Sequence, residues 1–178
     1  LEFRRVLFRS LKAYRAIADL PEVPELALVI TPAQTVPGII AECGAKGIRN
    51  AIVYSSGFEE VESGKVVAQQ LADAATQHNV AVLGPNCQGV WSIRRRCMLT
   101  FSAATLNLES LTQAPIAVIS QSGALAGAIG THLQNTGVGC AYIVSVGNET
   151  CLDALDFLEW IIEQDDVRVA VLYIEGLN

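Results

Sequence analysis

The chain has 178 residues, 51% of them hydrophobic and 17% charged, and a formal net charge of −6. This is enough apolar sequence for one core or two small ones. The acidic balance argues against a phosphate-tracking nucleic-acid binder, and no run of about 18 apolar residues marks a membrane span.

Residues 1–10, LEFRRVLFRS, hold three arginines, no strand alternation and no secretory apolar segment. They read as the translation of an adapter or cloning scar, with a natural basic tail as the alternative, and they stand outside the fold argument. The same reading expects the natural N-terminus to be missing. Without Arg4, Arg5, Arg9 and Glu2, 9 basic residues face 17 acidic ones. The first apolar run, 26–30, predicts a strand and is followed by Thr31-Pro32-Ala33-Gln34. Residues 36–45 predict a short helix ending near Gly47. A second strand at 51–54 leads into Ser55-Ser56-Gly57-Phe58. Residues 61–78 predict a longer helix with Val67, Leu71 and Ala75 on its inner stripe. His78 falls at its C-terminal end, where a cationic imidazole is favoured. A third strand, 80–83, runs into Gly84-Pro85-Asn86-Cys87-Gln88-Gly89.

Residues 86–115 break the rhythm. They hold the Arg94-Arg95-Arg96 cluster, a possible extra strand at 98–101 and a polar stretch ending in Pro115. A domain boundary is placed near residue 112. A strand at 116–119 then meets Ser120-Gln121-Ser122-Gly123 and a helix at 125–133. A strand at 141–146 is followed by Gly147-Asn148-Glu149. The helix at 152–164 has Thr150 as its cap and Asp153 at the capping-box position. Leu155, Leu158 and Ile162 are expected to face inward, and Asp156, Glu159 and Glu163 outward. The last strand, 169–174, ends at Glu175-Gly176. The strands are rich in Val and Ile without clean alternation, as expected of parallel strands buried on both faces. The order βαβαβ, linker, βαβαβ predicts an α/β architecture.

In such sheets ligands gather beyond the carboxyl ends of the strands, and all six strand-following segments are small, polar or glycine-bearing. Ser120-Gln121-Ser122-Gly123 is the sharpest. Free N–H groups and the helix dipole, with two hydroxyls and a glycine, suit a phosphate cradle. A plain serine N-cap is the alternative. The glycines of a GxSxG nucleophile elbow are absent, and His132 falls within the same helix, which argues against a serine hydrolase. In the 84–89 loop, Asn86 offers donors and acceptors. Cys87 has no neighbour in sequence that would activate it. A carboxylate at Glu175 could orient a histidine. Five scattered cysteines, none in a CxxC pair, and two histidines at no metal-ligand spacing predict reduced thiols, a cytoplasmic setting and no metal site.

Four stretches in order carry a resemblance: Gly84-Pro85-Asn86-Cys87-Gln88-Gly89-Val90, Val118-Ile119-Ser120-Gln121-Ser122-Gly123-Ala124, Val146-Gly147-Asn148-Glu149 and Leu172-Tyr173-Ile174-Glu175-Gly176. Together they resemble the NDP-forming acyl-CoA synthetases, relatives of the succinyl-CoA synthetase alpha subunit. The resemblance implies two Rossmann/flavodoxin-like parallel-sheet domains, both cut short. Residues 11–112 would be a CoA-binding domain without its first strand and Gly-rich loop, and 113–178 the start of a ligase domain. It implies acyl-CoA formation through an acyl phosphate and a phosphohistidine, with NTP giving NDP and phosphate.

By position, Pro32, Ala33, Ser55, Ser56 and Gly57 match loops that contact CoA, and Asn86 and Cys87 the loop near its thiol. Ser120, Gln121, Ser122 and Gly123 match the phosphate-receiving helix start, and Glu175 the catalytic glutamate that steadies the phosphohistidine. Partners implied are CoA, a small organic acid, phosphate, and a grasp (beta) domain or subunit that holds ATP/ADP with Mg. Neither His78 nor His132 matches the phosphorylated histidine. Gly127 stands where succinate-using relatives carry a tyrosine, which argues against succinate. A CoA-binding regulatory module of a protein lysine acetyltransferase is the alternative.

Overall fold

The computed structural model describes residues 12–59, 61, 64–108 and 110–176. The tail at 1–10 lies outside the described residues. Among the described residues, eight strands and four α-helices follow one another as β1 (Ala27–Val29), α1 (Val36–Lys46), β2 (Asn50–Val53), α2 (Lys65–His78), β3 (Ala81–Leu83), β4 (Gly89–Ser92), β5 (Cys97–Thr100), β6 (Ile116–Ser120), α3 (Gly123–Asn135), β7 (Tyr142–Ser145), α4 (Ala154–Ile162) and β8 (Val169–Tyr173).

They form two sheets. The first is parallel, in the order β1-β2-β3. The second runs β5-β4-β7-β6-β8. Its β6, β7 and β8 are parallel, and the β4–β5 hairpin is added antiparallel to β7. The sequence grouped residues 89–100 with the first domain. Their hydrogen bonds belong to the second sheet. β4 carries no strand signal in the sequence because Gly89-Val90-Trp91-Ser92 holds one aliphatic residue between a glycine loop and an arginine cluster.

Period-two alternation explains why the strands read as uniformly apolar. In β2, Ala51 and Val53 join α1 and α2 in one core, while Ile52 points the other way and joins Tyr54 in a second. In β6, Ala117 and Ile119 enter that second core, and Val118 packs towards α3. Tyr142 and Val144 of β7 likewise oppose Ile143. The middle core is therefore shared between the two sheets.

Two helix details differ from expectation. The cap of α4 is Asp153, not Thr150. Its carboxylate accepts from Leu155 N and Asp156 N at 2.8 and 2.9 Å, and Asp156 returns a bond to Asp153 N. Thr150 instead spends its backbone N–H on Gly84 O. The inner stripe of α4 is Ala154, Phe157, Leu158 and Ile161, an i, i+3, i+4, i+7 set, whereas Leu155 and Ile162 are exposed. In α2 the expected stripe holds at Leu71 and Ala75, with Ala68 fully inside and Val67 at its margin.

Candidate functional site

The register of the second sheet builds the site. Ser120 pairs with Ser145 on one side and Tyr173 on the other, so β6, β7 and β8 end level with one another. Gln121, Gly147 and Glu175 are thereby delivered side by side. The β4 pairing begins with Gly89 opposite Ser145, which carries the loop after β3 across to the same edge. Gln88 N donates to Ser145 Oγ at 2.9 Å, and Asn148 N donates to Pro85 O at 3.0 Å. The result is a cavity of about 310 Å³ lined by Asn86, Cys87 and Gln88, by Gln121, Ser122 and Gly123, and by Asn148 and Glu175. Three of the four quoted stretches meet there with the fourth, although they span about 90 residues of chain.

Two glycines make this packing possible. A Cβ at Gly147, whose φ is +65°, would run into Pro85 O. A Cβ at Gly123 would lie 2.8 Å from Gln88 Cγ. The sequence suggests that Gly123 admits an anion; in the fold it admits the side chain of Gln88.

The predicted phosphate residues divide. Ser122 is the N-cap of α3, accepting from Leu125 N at 3.4 Å, and it faces the cavity with Gly123. The first-turn amides of a helix have no partner within the helix, so this edge carries donors and positive potential. Ser120 does not line the cavity. It is fully buried, and its hydroxyl donates to Ser122 O at 2.8 Å, bracing the turn from below. Gln121 lines the cavity, but its amide is engaged elsewhere. Nε2 donates to Glu149 Oε2 (2.6 Å) and Gly176 O (2.9 Å), and Oε1 accepts from Glu175 N (2.6 Å) and Gly176 N (3.1 Å).

Asn86 is exposed, with φ +55°, and donates through Nδ2 to Asn148 Oδ1 at 3.2 Å. Cys87 is 1% exposed, with Sγ turned to Val53 O at 3.4 Å. Burial pushes its thiol up to about 12, outweighing the backbone hydrogen bonds that lower it. It is a buried thiol held in its protonated form.

The expected CoA loops lie at the ends of β1 and β2, which pair Val29 with Val53. A Cβ at Gly57 would sit 3.5 Å from that of Ala33, so the two loops touch. Ser56 and Pro32 are exposed. The hydroxyl of Ser55 is buried without a hydrogen-bond partner, and Ser55 O accepts from Asn86 N at 2.9 Å. These loops do not line the cavity; that one bond links them to its rim.

His78 ends α2 and His132 is exposed on α3; neither lines the cavity. The Arg94-Arg95-Arg96 cluster sits in the exposed β4–β5 turn, where Arg94 pairs with Asp165 at 3.1 Å. Sequence reading left Gln88, Phe101 and Asn148 out of the site and gave Glu149 no role. For Asn148 and Glu149 the signal was present, a Gly-Asn turn beyond a parallel strand. For Phe101, brought in by the hairpin, there was none.

Parallel strands ending in a polar, amide-rich cavity, beside a second parallel sheet with glycine-bearing loops, define a Rossmann-type unit joined to a flavodoxin-like unit. The CoA binding domain family matches residues 5–92, starting inside the stretch set aside above, and the succinyl-CoA ligase like flavodoxin domain matches residues 113–178. The chain is 35% identical to the acetate–CoA ligase (ADP-forming) I subunit alpha of Pyrococcus furiosus, over 96% of this chain and 36% of that one. It is 32% identical to the 4-hydroxybutyrate–CoA ligase (ADP-forming) of Nitrosopumilus maritimus, over 94% of this chain and 24% of that one. A dinucleotide forming acetyl-coenzyme A synthetase 1 from Ca. Korarchaeum cryptofilum, solved with phosphate and ADP, superposes with a TM-score of 0.86 at 32% identity, over 96% of this chain and 36% of that one. The chain thus carries a CoA binding domain and a succinyl-CoA ligase like flavodoxin domain, is similar over nearly its whole length to ADP-forming acid–CoA ligases, and spans between 24% and 36% of the length of these relatives.

Proposed function

We propose that this chain is the CoA- and phosphate-handling region of an acid–CoA ligase, which forms acyl-CoA while NTP is split to NDP and phosphate by way of an acyl phosphate and a phosphohistidine. The observation that carries the reading is the meeting of Ser122, Gly123, Asn86 and Glu175 in one cavity at the level ends of three parallel strands. Phosphoryl transfer asks a protein mainly for positioning and charge stabilisation, and the start of α3 supplies both. The matched relatives carry ligase or synthase names, which favours a ligase over a regulatory acetyltransferase module.

The loops holding Pro32, Ala33, Ser55, Ser56 and Gly57 fit CoA. They lie at a strand-end edge with Pro32 and Ser56 exposed and Ala33 buried, and the orphaned Ser55 hydroxyl offers a donor and an acceptor. CoA supplies the thiol that the acyl group joins. Asn86, held towards Asn148, orients that end of it, while Cys87 supports the loop from beneath. Ser122 and Gly123 hold the phosphoryl oxygens, and Glu175 at the rim orients the histidine that carries them. That histidine is neither His78 nor His132. ATP/ADP with Mg belongs to a grasp domain or subunit. The acid is small, and Gly127, where succinate-using relatives carry a tyrosine, argues against succinate. A Cβ at Gly127 would lie 2.8 Å from Ser102 Oγ and 3.1 Å from Gln88 Oε1, so a side chain there would have to displace both. The buried Cys43, Cys87 and Cys140, and the absence of disulfides, suit a reducing cytoplasm.

Ser122→Asp tests the anion seat. Aspartate is as good an N-cap as serine, so α3 keeps its cap, but a carboxylate now occupies the seat. In the full-length ligase, phosphohistidine formation measured with labelled phosphate and acyl-CoA is expected to fall by about 100-fold or more, with the unfolding midpoint little changed. Wild-type phosphoenzyme yield in this variant would refute the reading.

A further inference from the structure

Residues beyond Tyr173 have left the β6–β8 ladder, whose last pair is Ser120 with Tyr173. What holds Glu175 over the cavity is therefore not the sheet. It is the Gln121 carboxamide, whose oxygen takes the N–H groups of Glu175 (2.6 Å) and Gly176 (3.1 Å) and whose nitrogen gives one proton to Gly176 O (2.9 Å). The second proton goes to Glu149 Oε2 at 2.6 Å. Both donors and both acceptor positions of the amide are thus in use. Glu149 is itself fixed by the chain. Its φ is +58°, a conformation an L residue keeps only when its surroundings enforce it, and its other oxygen accepts from Ala154 N at 2.8 Å, at the start of α4.

We infer that Glu149 and Gln121 form a clamp that sets the position of Glu175 over the phosphate seat, making Glu149 a positioning residue for the phosphoryl step. The inference rests on the reading of Glu175 given above. A carboxylate at 149 leaves the Gln121 amide only one orientation, because it accepts and never donates. Gln121 must then present its oxygen to residues 175 and 176, and Gln121 is not a phosphate ligand. The bonds to Glu149 are charge-assisted, the stronger kind. The clamp also ties Glu175 to the first turn of α4, so the two elements move as one.

The chemistry gives a swap test in the full-length ligase. Glu149→Gln places an NH2 group against either the Gln121 NH2 or the Ala154 N–H. Gln121→Glu places two carboxylates face to face. The double variant Gln121→Glu/Glu149→Gln restores one donor facing one acceptor, but replaces the bond to Gly176 O by a carboxylate oxygen facing that carbonyl. Each single variant is expected to lower kcat by about tenfold or more with KM for CoA within about twofold of wild type, and the swap to return kcat to within about threefold. Glu175→Gln is the benchmark. If it lowers kcat while both single variants keep theirs, the clamp is refuted and the reading of Glu175 stands. If Glu175→Gln keeps wild-type kcat, that reading falls and the clamp with it. If the swap restores the unfolding midpoint but not kcat, re-forming the pair does not serve the phosphoryl step and the inference is overturned.

Discussion

Cys87 shows how far a single residue can be read. The Gly84-Pro85-Asn86-Cys87 loop offers its thiol no activating neighbour, and the fold adds the reason that sequence lacks, aiming Sγ at Val53 O and away from solvent. Burial also raises Cys151 to about 11 and Tyr54 to about 12. An acid whose pKa is higher in the folded than in the unfolded chain stabilises the fold fully below its unfolded value. That contribution is lost as pH rises through the folded value. The Cys87 window opens at 9.0 and closes at about 12. Urea midpoints of the chain are therefore expected to hold steady up to about pH 9 and to decline above it, less steeply in Cys87→Ala than in wild type. Equal slopes would show that the thiol ionises without cost in the native loop. Ser120 and Gln121 make the complementary point. Sequence names residue types suited to phosphate, but it does not show that one hydroxyl braces the turn and that the amide grips a neighbouring strand end.

At the scale of the element, apolar runs locate helices and strands better than they locate faces or ends. The α4 helix is predicted at nearly the right residues, yet its cap lies three residues beyond Thr150 and its inner stripe keeps only Leu158 of the expected set. Leu155 and Ile162 are as apolar as the residues that replace them. The fold buries Ala154, Phe157 and Ile161 with Leu158, because a sheet surface receives whatever the cap geometry turns towards it. Asp153 sets that geometry with a reciprocal capping box. Asp153→Ala leaves two first-turn amides unpaired and is expected to cost about 1 kcal/mol of unfolding free energy. Thr150→Ala, at the cap position the sequence suggests, is expected to cost less. Urea titrations of the two variants decide the matter, and a larger loss at Thr150 would reverse the assignment.

At the scale of the whole molecule, the alternation of apolar runs with helical spacers makes the two parallel units legible, because parallel strands need crossovers and leave that rhythm in the chain. The second strand of the hairpin is anticipated at 98–101, but the place of the hairpin in the second sheet is illegible because that pairing is a long-range choice. Nothing in Gly89-Val90-Trp91-Ser92 says that its β7 partner lies 50 or more residues ahead. Its consequence is that the chain is interlocked. β4 covers the edge of β7, Trp91 packs with Val118 and Ile143, and Leu83 with Cys87 shares a core with Ile119 and Val144. A cut near residue 112 would bare the β7 edge and remove the Trp91 ring from the α3 side. A chain beginning at residue 113 is therefore expected to aggregate or to melt without a cooperative transition, since an open central edge invites pairing with other chains and the core loses an aromatic worth about 3 kcal/mol or more. A chain beginning at residue 84 keeps the hairpin and is expected to show a sigmoidal urea transition and to stay monomeric by light scattering. Equal cooperativity in the two pieces would mean that the hairpin decorates the second sheet instead of completing it, and the boundary near 112 would then also be the boundary of the folding unit.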